Sequence, residues 1–374
     1  MSKKALVIGG GFAGCASAHM LAADQGWDVT LVELAPFLGG GNRTRYWGGH
    51  PHTFGPRHFI TQDVRTWDYL SSILPMRRCQ EHICLSYIES EDAFYNYPIH
   101  VDDVPLMNDS RQIHDELSGV ETEFEEQPAN FEEYWVRSIG PTLYDRFVDT
   151  YSKKMWMLED NKVIDDYGWS PKGVALKTGP REVWDTAISA FPKKLDGYNP
   201  YFEAATQDVT VLTGCRVEQW DIPNKRVSFM GEWHAFDVIV NTISPDMLFE
   251  QCKGPLKYIG RDIHFFVLPI EHVFPENVYF LYYPNSEKFT RLVEYKKFTQ
   301  YKAPTSLVSI EFPSLNGRYY PLPISSEYAV AQRYFDMMPD DVYSIGRAGS
   351  YLYKIDIDDC IGQAMDVTQE ILGA

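Results

Sequence analysis

The stretch Lys4-Ala5-Leu6-Val7-Ile8-Gly9-Gly10-Gly11-Phe12-Ala13-Gly14 constrains this chain more than any other. Its apolar run reads as a buried strand, its glycines at 9, 11 and 14 follow the spacing G-x-G-x-x-G, and the small residues that follow, from Cys15 to Ala23, continue as a helix. The spacing has a chemical reason. The first glycine permits a tight turn, the second lets a pyrophosphate approach bare backbone, and the third lets the helix close on the strand. Residues 27–33 (WDVTLVE) supply a second strand that ends in an acid, Glu33, where a dinucleotide ribose would be held. Such a βαβ unit takes the adenosine half of NAD or FAD. A second glycine run, Gly39-Gly40-Gly41-Asn42, follows directly after the acid. Flavin oxidoreductases use such a run to bring backbone against FAD, and simple dehydrogenases lack it. FAD is therefore the expected cofactor, bound noncovalently by Gly9, Gly11, Phe12, Ala13, Gly14, Glu33, Gly40, Gly41 and Asn42.

At 374 residues the chain exceeds the usual size of one domain, so further domains should share this platform. The net charge of −18 is not gathered in one tail and argues against broad binding to nucleic acid or anionic membrane, so any anionic ligand must be met by local arginines and backbone amides. Six scattered cysteines form neither a C-x-x-C pair nor a zinc spacing, and no metal cluster is visible. No signal peptide precedes the first strand and no apolar run reaches the ~18 residues of a membrane span, so the expected location is cytoplasmic.

Along the chain, residues 46–61 lack a steady period and read as a long structured loop. A short helix is expected from Asp63 to Leu74, and a hairpin over residues 83–99. Residues 110–156 read as an all-helical insertion with Asn130 as a helix cap. Residues 160–183 read as loop. Residues 208–220, 226–230 and 236–243 look like strands returning to the platform. Aromatic-rich strands from 263 to 311, including RLVEYKKF, suggest an antiparallel sheet, and a strand at 342–347 with a helix from Asp356 to Leu372 closes the platform. The expected fold is thus α/β: a Rossmann-like FAD-binding domain in three parts (1–77, 206–250, 336–374), a sheet hairpin (78–100), a helical insertion (101–165), a loop and sheet segment (166–205) and an antiparallel β-sheet substrate domain (251–335).

Five stretches carry a resemblance to a family. They are the N-terminal glycine loop with Leu38-Gly39-Gly40; Gly55-Pro56-Arg57-His58-Phe59-Ile60-Thr61, similar to G-P-H-x-F-H-T; Tyr151-Ser152-Lys153-Lys154-Met155-Trp156, similar to Y-T-K-K-Q-W; Thr290-Arg291-Leu292-Val293-Glu294-Tyr295-Lys296, similar to T-R-I-I-E-H-K; and Gly346-Arg347 through Asp356, similar to G-R-x-x-x-Y-x-Y-x-D. Together with Tyr319-Tyr320-Pro321 they span nearly the whole chain and resemble the UDP-galactopyranose mutase family. The resemblance implies that Arg291 grips the substrate diphosphate and that Tyr320 and Tyr353 donate hydroxyls to it; the family's second diphosphate arginine has no clear match, and Arg181 is the candidate substitute for it. It places Trp156, His100, Tyr319, Arg57 and His58 around the substrate, and Arg347, Tyr353, Asp356 and Ile357 at the FAD, although Asp356 also reads as a plain helix cap.

The departures cluster near the substrate. Arg57 and Ile60 replace the two histidines of G-P-H-x-F-H-T, with His58 displaced between them, and His100 stands where the family has asparagine. The arginine loop has no clear match, its region offering Lys172, Lys177 and Arg181 instead. The implied activity is interconversion of pyranose and furanose forms of a nucleotide-diphosphate sugar, begun by attack of the reduced flavin N5 on the anomeric carbon, with NAD(P)H as external reductant. A homodimer is an assembly open to it. The rival is an FAD-dependent amine oxidase or desaturase, which shares the glycine motif and none of the later ones.

Overall fold

The computed structural model describes every residue except 1, 80, 121–122, 171–174 and 374. Strand Lys3–Ile8, helix Phe12–Ala22 and strand Trp27–Glu33 form the expected βαβ unit, with Ala5 beside Val29 and Val7 beside Leu31 in a parallel register. Strand Thr210–Thr213 extends the sheet beyond Trp27–Glu33, and Val238–Asn241 and Val342–Ser344 extend it on the other side of Lys3–Ile8. All five strands are parallel and nearly continuous in apolar residues, because both faces are covered. The chain reverses direction of growth around Lys3–Ile8, so the crevice beyond that strand's C-terminal end is the natural ligand site.

One face carries helices Phe12–Ala22 and Ile357–Gly373, which share a core of Ala13, Ala16, Leu21, Ile361 and Ala364. The last helix buries Ile357, Ile361, Ala364, Thr368 and Ile371, while Cys360 and Val367 of the expected stripe sit at its edge. The other face is covered by a small antiparallel sheet, Gln219–Asp221, Arg226–Phe229 and Glu232–Ala235, through Ile222, Val227 and Phe229. The strand expected at 226–230 therefore lies over the platform and not within it. Met230 and Gly231, at φ +53° and +79°, make the two-residue turn that folds it back into a hairpin.

A seven-stranded sheet forms the second layer, and its longest strand, Tyr258–Leu268, pairs antiparallel with Ser306–Ser314 near one edge. The hairpin Ile83–Ile88 with Ala93–Asn96 joins it through a parallel pairing with Val278–Tyr282, so the sheet is mixed at that edge. The expected strand RLVEYKKF stops at Glu294, and Tyr295–Thr299 is a short helix. The buried Glu294 carboxylate ends the strand by accepting from Val273 N, Phe274 N and Ser306 Oγ, and Tyr295 and Phe298 then pack into the core three residues apart.

The insertion is helical, with Ser110–Leu117, Phe131–Ile139, Pro141–Tyr144 and Thr150–Trp156 around Trp135, Ile139, Leu143 and Phe147. Asn130 caps as expected, accepting from Glu133 N at 3.0 Å. Between the last two helices, Asp145–Asp149 forms a π turn whose extra residue shifts the register, so Tyr151 faces away from the helical core. Residues 46–61 are more ordered than expected: Arg45–Trp47 and His50–His52 form a ribbon about Gly48 and Gly49, and Phe59–Thr61 pairs with Ile188–Pro192.

Candidate active site

The glycine loop divides its labour as the spacing predicts. Gly9 has φ +99°, and a Cβ there would stand 2.4 Å from Thr242 Oγ1. A Cβ on Gly14 would stand 1.9 Å from Gly9 O, so only glycine lets the helix lie this close to the strand. A Cβ on Gly11 would meet nothing within 4 Å, which leaves its backbone open to an incoming group. Glu33 pins the loop: its two carboxylate oxygens accept from Gly10 N and Ala35 N, each at 2.7 Å. Gly39 and Gly40 both have positive φ and set the turn that carries Gly41 and Asn42 to the cleft wall.

That cleft is lined by Gly11, Phe12, Ala13, Gly41 and Asn42 from the N-terminal part, Thr242 from the middle, and Gly346, Arg347, Asp356 and Ile357 from the C-terminal part. Asn42 Oδ1 is buried there without a hydrogen-bond partner among the described residues. The bare glycine backbone and this open acceptor fit a dinucleotide. Tyr319, expected at the substrate, lies on this cleft, half-exposed against Phe54.

A second cavity opens from the first, and Arg57, Arg347 and Asp356 line both. Four guanidinium groups reach it from four separate segments. Arg291, on strand Arg291–Glu294, donates from Nε to Glu311 at 2.8 Å. Burial disfavours its charge, but the buried Glu311 carboxylate together with Tyr282, Tyr320 and Tyr151 more than offsets that and holds Arg291 charged, well above its ordinary pKa. Arg261 projects from strand Tyr258–Leu268, with its guanidinium 4.5 Å from the Tyr320 ring and its Nη1 donating to Gly260 O at 2.8 Å. Arg347 donates from Nε to Ile355 O at 2.7 Å and faces Asp356 at 3.7 Å. Arg57 donates from Nε to Phe54 O at 3.2 Å.

Tyr320 sits amid these charges. Burial pushes its hydroxyl up, yet Arg57, Arg261 and Arg291 together pull it below the ordinary tyrosine value. Tyr353, with its ring 5.6 Å from that of Tyr320, is shifted the other way, chiefly by burial, and stays a hydroxyl donor. The remaining wall is aromatic and apolar, with Tyr97, Tyr151, Met155, Trp169, Trp184, Phe280 and Tyr282, together with His58 and Ile60.

Of the residues expected at the substrate, Arg291, Tyr320, Tyr353, Arg57 and His58 line this cavity. Four others do not: Tyr319, on the dinucleotide cleft, and Arg181, His100 and Trp156. Arg181 is turned to the buried Asp103 carboxylate at 2.7 Å and to Asn96 Oδ1, so its charge is already neutralised. His100 is buried, with Nε2 3.0 Å from Gly179 O. Trp156 is fully buried behind Tyr353, ring centroids 4.7 Å apart, and supports that ring from the helical core. Lys177 is paired with Asp185, and Lys172 lies outside the described residues. Sequence reasoning missed Arg261, Glu311 and Trp169. A lone arginine inside the apolar strand Tyr258–Leu268 was the available signal for the first.

With this geometry described, similarity to known proteins can be stated. A family model for UDP-galactopyranose mutase matches residues 146–353, and one for an NAD(P)-binding Rossmann-like domain matches residues 7–73. A Klebsiella pneumoniae protein named "Probable UDP-galactopyranose mutase" is 22% identical over 397 residues, covering 100% of this chain and 96% of its own. The dTDP-fucopyranose mutase of Escherichia coli is 22% identical over 390 residues, covering 98% and 97%. Among solved structures, reduced UDP-galactopyranose mutase aligns with a TM-score of 0.79 at 16% identity, over 100% of this chain and 94% of that one. A redesigned putrescine oxidase aligns at 0.61 and 11%, over 100% of each chain, and shares the fold.

Proposed function

This chain belongs to the UDP-galactopyranose mutase family, whose model matches 146–353 of its 374 residues, and we infer that it interconverts the pyranose and furanose forms of a nucleotide-diphosphate sugar, with FAD in the glycine-lined cleft and NAD(P)H as the outside reductant. The observation that carries this reading is the convergence of Arg57, Arg261, Arg291 and Arg347 with Tyr320 and Tyr353 on one cavity that opens into the dinucleotide cleft. When bound and reduced, FAD supplies the nucleophile for the anomeric carbon, its N5.

The chain's own residues do the rest. Arg57, Arg261 and Arg291 face the diphosphate and stabilise the charge it gains as it leaves the sugar and returns to it. Their planar forks suit phosphate oxygens. Tyr353 Oη, held protonated by burial, donates to a phosphate oxygen, and Tyr320 Oη does so from within the arginine field. Glu311 orients Arg291. Trp169 and Trp184 line the opposite side and limit water around the opened sugar. Gly9, Gly11, Gly14, Glu33 and Asn42 shape the site for the adenosine diphosphate part of FAD, and Arg347 and Asp356 stand where the two ligands meet.

The preferred sugar differs from galactose. Arg57 and Ile60 line the cavity where the family motif has histidines, and Arg181, the candidate second diphosphate arginine, is paired with Asp103 outside it. Exchange of polar groups around a substrate moves selectivity by orders of magnitude. The E. coli relative, named for dTDP-fucopyranose, illustrates such a shift within comparable similarity.

The test is turnover of furanosyl nucleotides by dithionite-reduced protein, followed by chromatography of the pyranose product. UDP-galactofuranose and dTDP-fucofuranose are compared by kcat/KM. Turnover that needs reduced flavin without net oxidation supports the mutase. Hydrogen peroxide release with an oxidised product would establish the oxidase instead. If UDP-galactofuranose is the better substrate, the shifted preference is wrong.

A further inference from the structure

Arg57 stands apart from the other cations. It borders the dinucleotide cleft beside Gly41 and Asn42, and it borders the second cavity beside Arg261, Arg291 and Tyr320. Its guanidinium lies against the cleft wall itself: a Cβ on Gly41 would be 3.9 Å from both its Nε and its Nη2. The bond from Nε to Phe54 O fixes the group from behind. Arg347, which also borders both, is paired with Asp356, and Arg291 with Glu311; no carboxylate among the described residues pairs with Arg57 or Arg261, and of those two only Arg57 borders the dinucleotide cleft. In the motif this segment resembles, the position is histidine, a group that loses its charge near neutral pH, while a guanidinium keeps it throughout.

We propose that Arg57 is one cation shared by two ligands, binding the diphosphate of the nucleotide sugar and, from the same position, favouring the reduced, more negative form of the bound FAD. The inference rests on the mutase reading above. A positive charge beside a cofactor that gains negative charge on reduction raises its midpoint potential, and the partial burial of Arg57 between the two cavities leaves it less screened than a fully exposed charge. Because the same charge would face the diphosphate in the mutase reading, potential and nucleotide affinity should change together when it is removed.

The experiment uses FAD-loaded full-length protein, UDP and dTDP as diphosphate probes, calorimetry for affinity and anaerobic dye titration for potential. Arg57→Met should weaken both nucleotides at least tenfold. It should also shift the two-electron reduction equilibrium at least tenfold against reduction, a fall of about 30 mV. Arg57→Lys should keep most of both. Arg57→His converts the fixed charge into a titrating one: its potential and affinity should approach wild type at pH 5.5 and the Met variant at pH 8, around an ordinary histidine value of about 6.5. The groups facing Arg57, namely His58, Tyr320, Arg261, Arg291, Arg347, Asp356 and Glu311, are common to all these proteins, so the difference from wild type at each pH isolates position 57.

If Arg57→Met does not retain FAD, the histidine variant decides alone. A change in affinity without a change in potential, or the reverse, overturns the shared role, as does a histidine variant that parallels wild type at every pH. Wild-type protein that binds FAD and nucleotide while the variants change neither readout defeats this inference only. Wild-type protein that takes up neither FAD nor nucleotide defeats the mutase reading with it.

Discussion

Gly11 and Gly14 belong to one motif, but the structure gives them separable tasks. An alanine at 14 would gain about 1 kcal/mol of helix propensity over glycine. Its Cβ would stand 1.9 Å from Gly9 O, against 3.4 Å for ordinary contact, so the helix must retreat by roughly 1.5 Å. A backbone oxygen cannot rotate away as a side chain can. Helix Phe12–Ala22 buries eight residues against the platform, and all of them move with it. Overpacking of this kind costs about 1–3 kcal/mol, and contact with backbone belongs at or above the top of that range, leaving a net loss of about 2 kcal/mol in the apoprotein. Gly11→Ala differs. Its φ of −80° and ψ of −167° suit any residue and its Cβ meets nothing, so apoprotein stability should fall by less than about 1 kcal/mol, the cost of a poorer N-cap. That Cβ nevertheless projects from the open side of the loop, and FAD affinity should drop at least tenfold, about 1.4 kcal/mol. Urea midpoints of the apoproteins and flavin-to-protein absorbance ratios after reconstitution measure the two effects. If Gly14→Ala retains both wild-type stability and full flavin content, the packing argument is refuted. If Gly11→Ala binds FAD normally, the cleft is not where the pyrophosphate lies.

Arg291→Met alone would strand the buried Glu311 carboxylate and should destabilise the fold by about 3–5 kcal/mol; adding Glu311→Gln should recover most of that while nucleotide binding stays weak, a separation visible in thermal melts and calorimetry. Tyr320 should be the first of the shifted tyrosines to ionise as pH rises, since its folded value lies below the ordinary one; stability then increases as pH climbs through that window, and the earliest phenolate absorbance should vanish in Tyr320→Phe. Asp358 is pushed up to about 6 by burial, then by Asp359 and Asp356. The folded state holds its proton more tightly, so its cost grows from pH 4 to 6, and Asp358→Asn should stabilise the protein at pH 7 by about 1–2 kcal/mol after solvent screening, with no gain at pH 3.5.

What could be read from the sequence was local or strongly patterned. The glycine loop, strand Trp27–Glu33, the Asn130 cap and the last helix each depend on neighbours within a few residues, and each lies within two residues of its expected bounds. The expectations that differ depended on distant partners. Arg181 is neutralised by an aspartate 78 positions earlier, and Arg261 acquires its place from pairing with a strand 50 residues on. Around Glu294 the apolar residues follow strand spacing at Val293 and Tyr295 and helix spacing at Tyr295 and Phe298, and the buried Glu294 marks the change from one to the other. Tyr151 could be quoted as part of a motif, but its direction depends on a π turn that no periodicity announces.

The acidity of this protein and the charge of its cavity are linked. A chain of net charge −18 repels a nucleotide diphosphate at long range, so attraction must arise inside the cavity, where screening by salt is weakest. Four arginines and only two carboxylates, Glu311 and Asp356, line it, leaving an excess of positive charge buried among aromatic rings. Concentrating that charge is costly unless each guanidinium is held. The structure holds each one differently, with a carboxylate behind Arg291, backbone carbonyls behind Arg57 and Arg347, and a carbonyl together with an aromatic face for Arg261. None of these supports uses up the whole fork. The donors left over point to a ligand with oxygens in more than one direction, which a diphosphate provides and a single carboxylate does not. Once bound, that ligand relieves the repulsion among the arginines as well as forming its own contacts. Binding and local stability are thereby coupled, so UDP should raise the melting temperature of wild-type protein more than uridine monophosphate does at the same concentration.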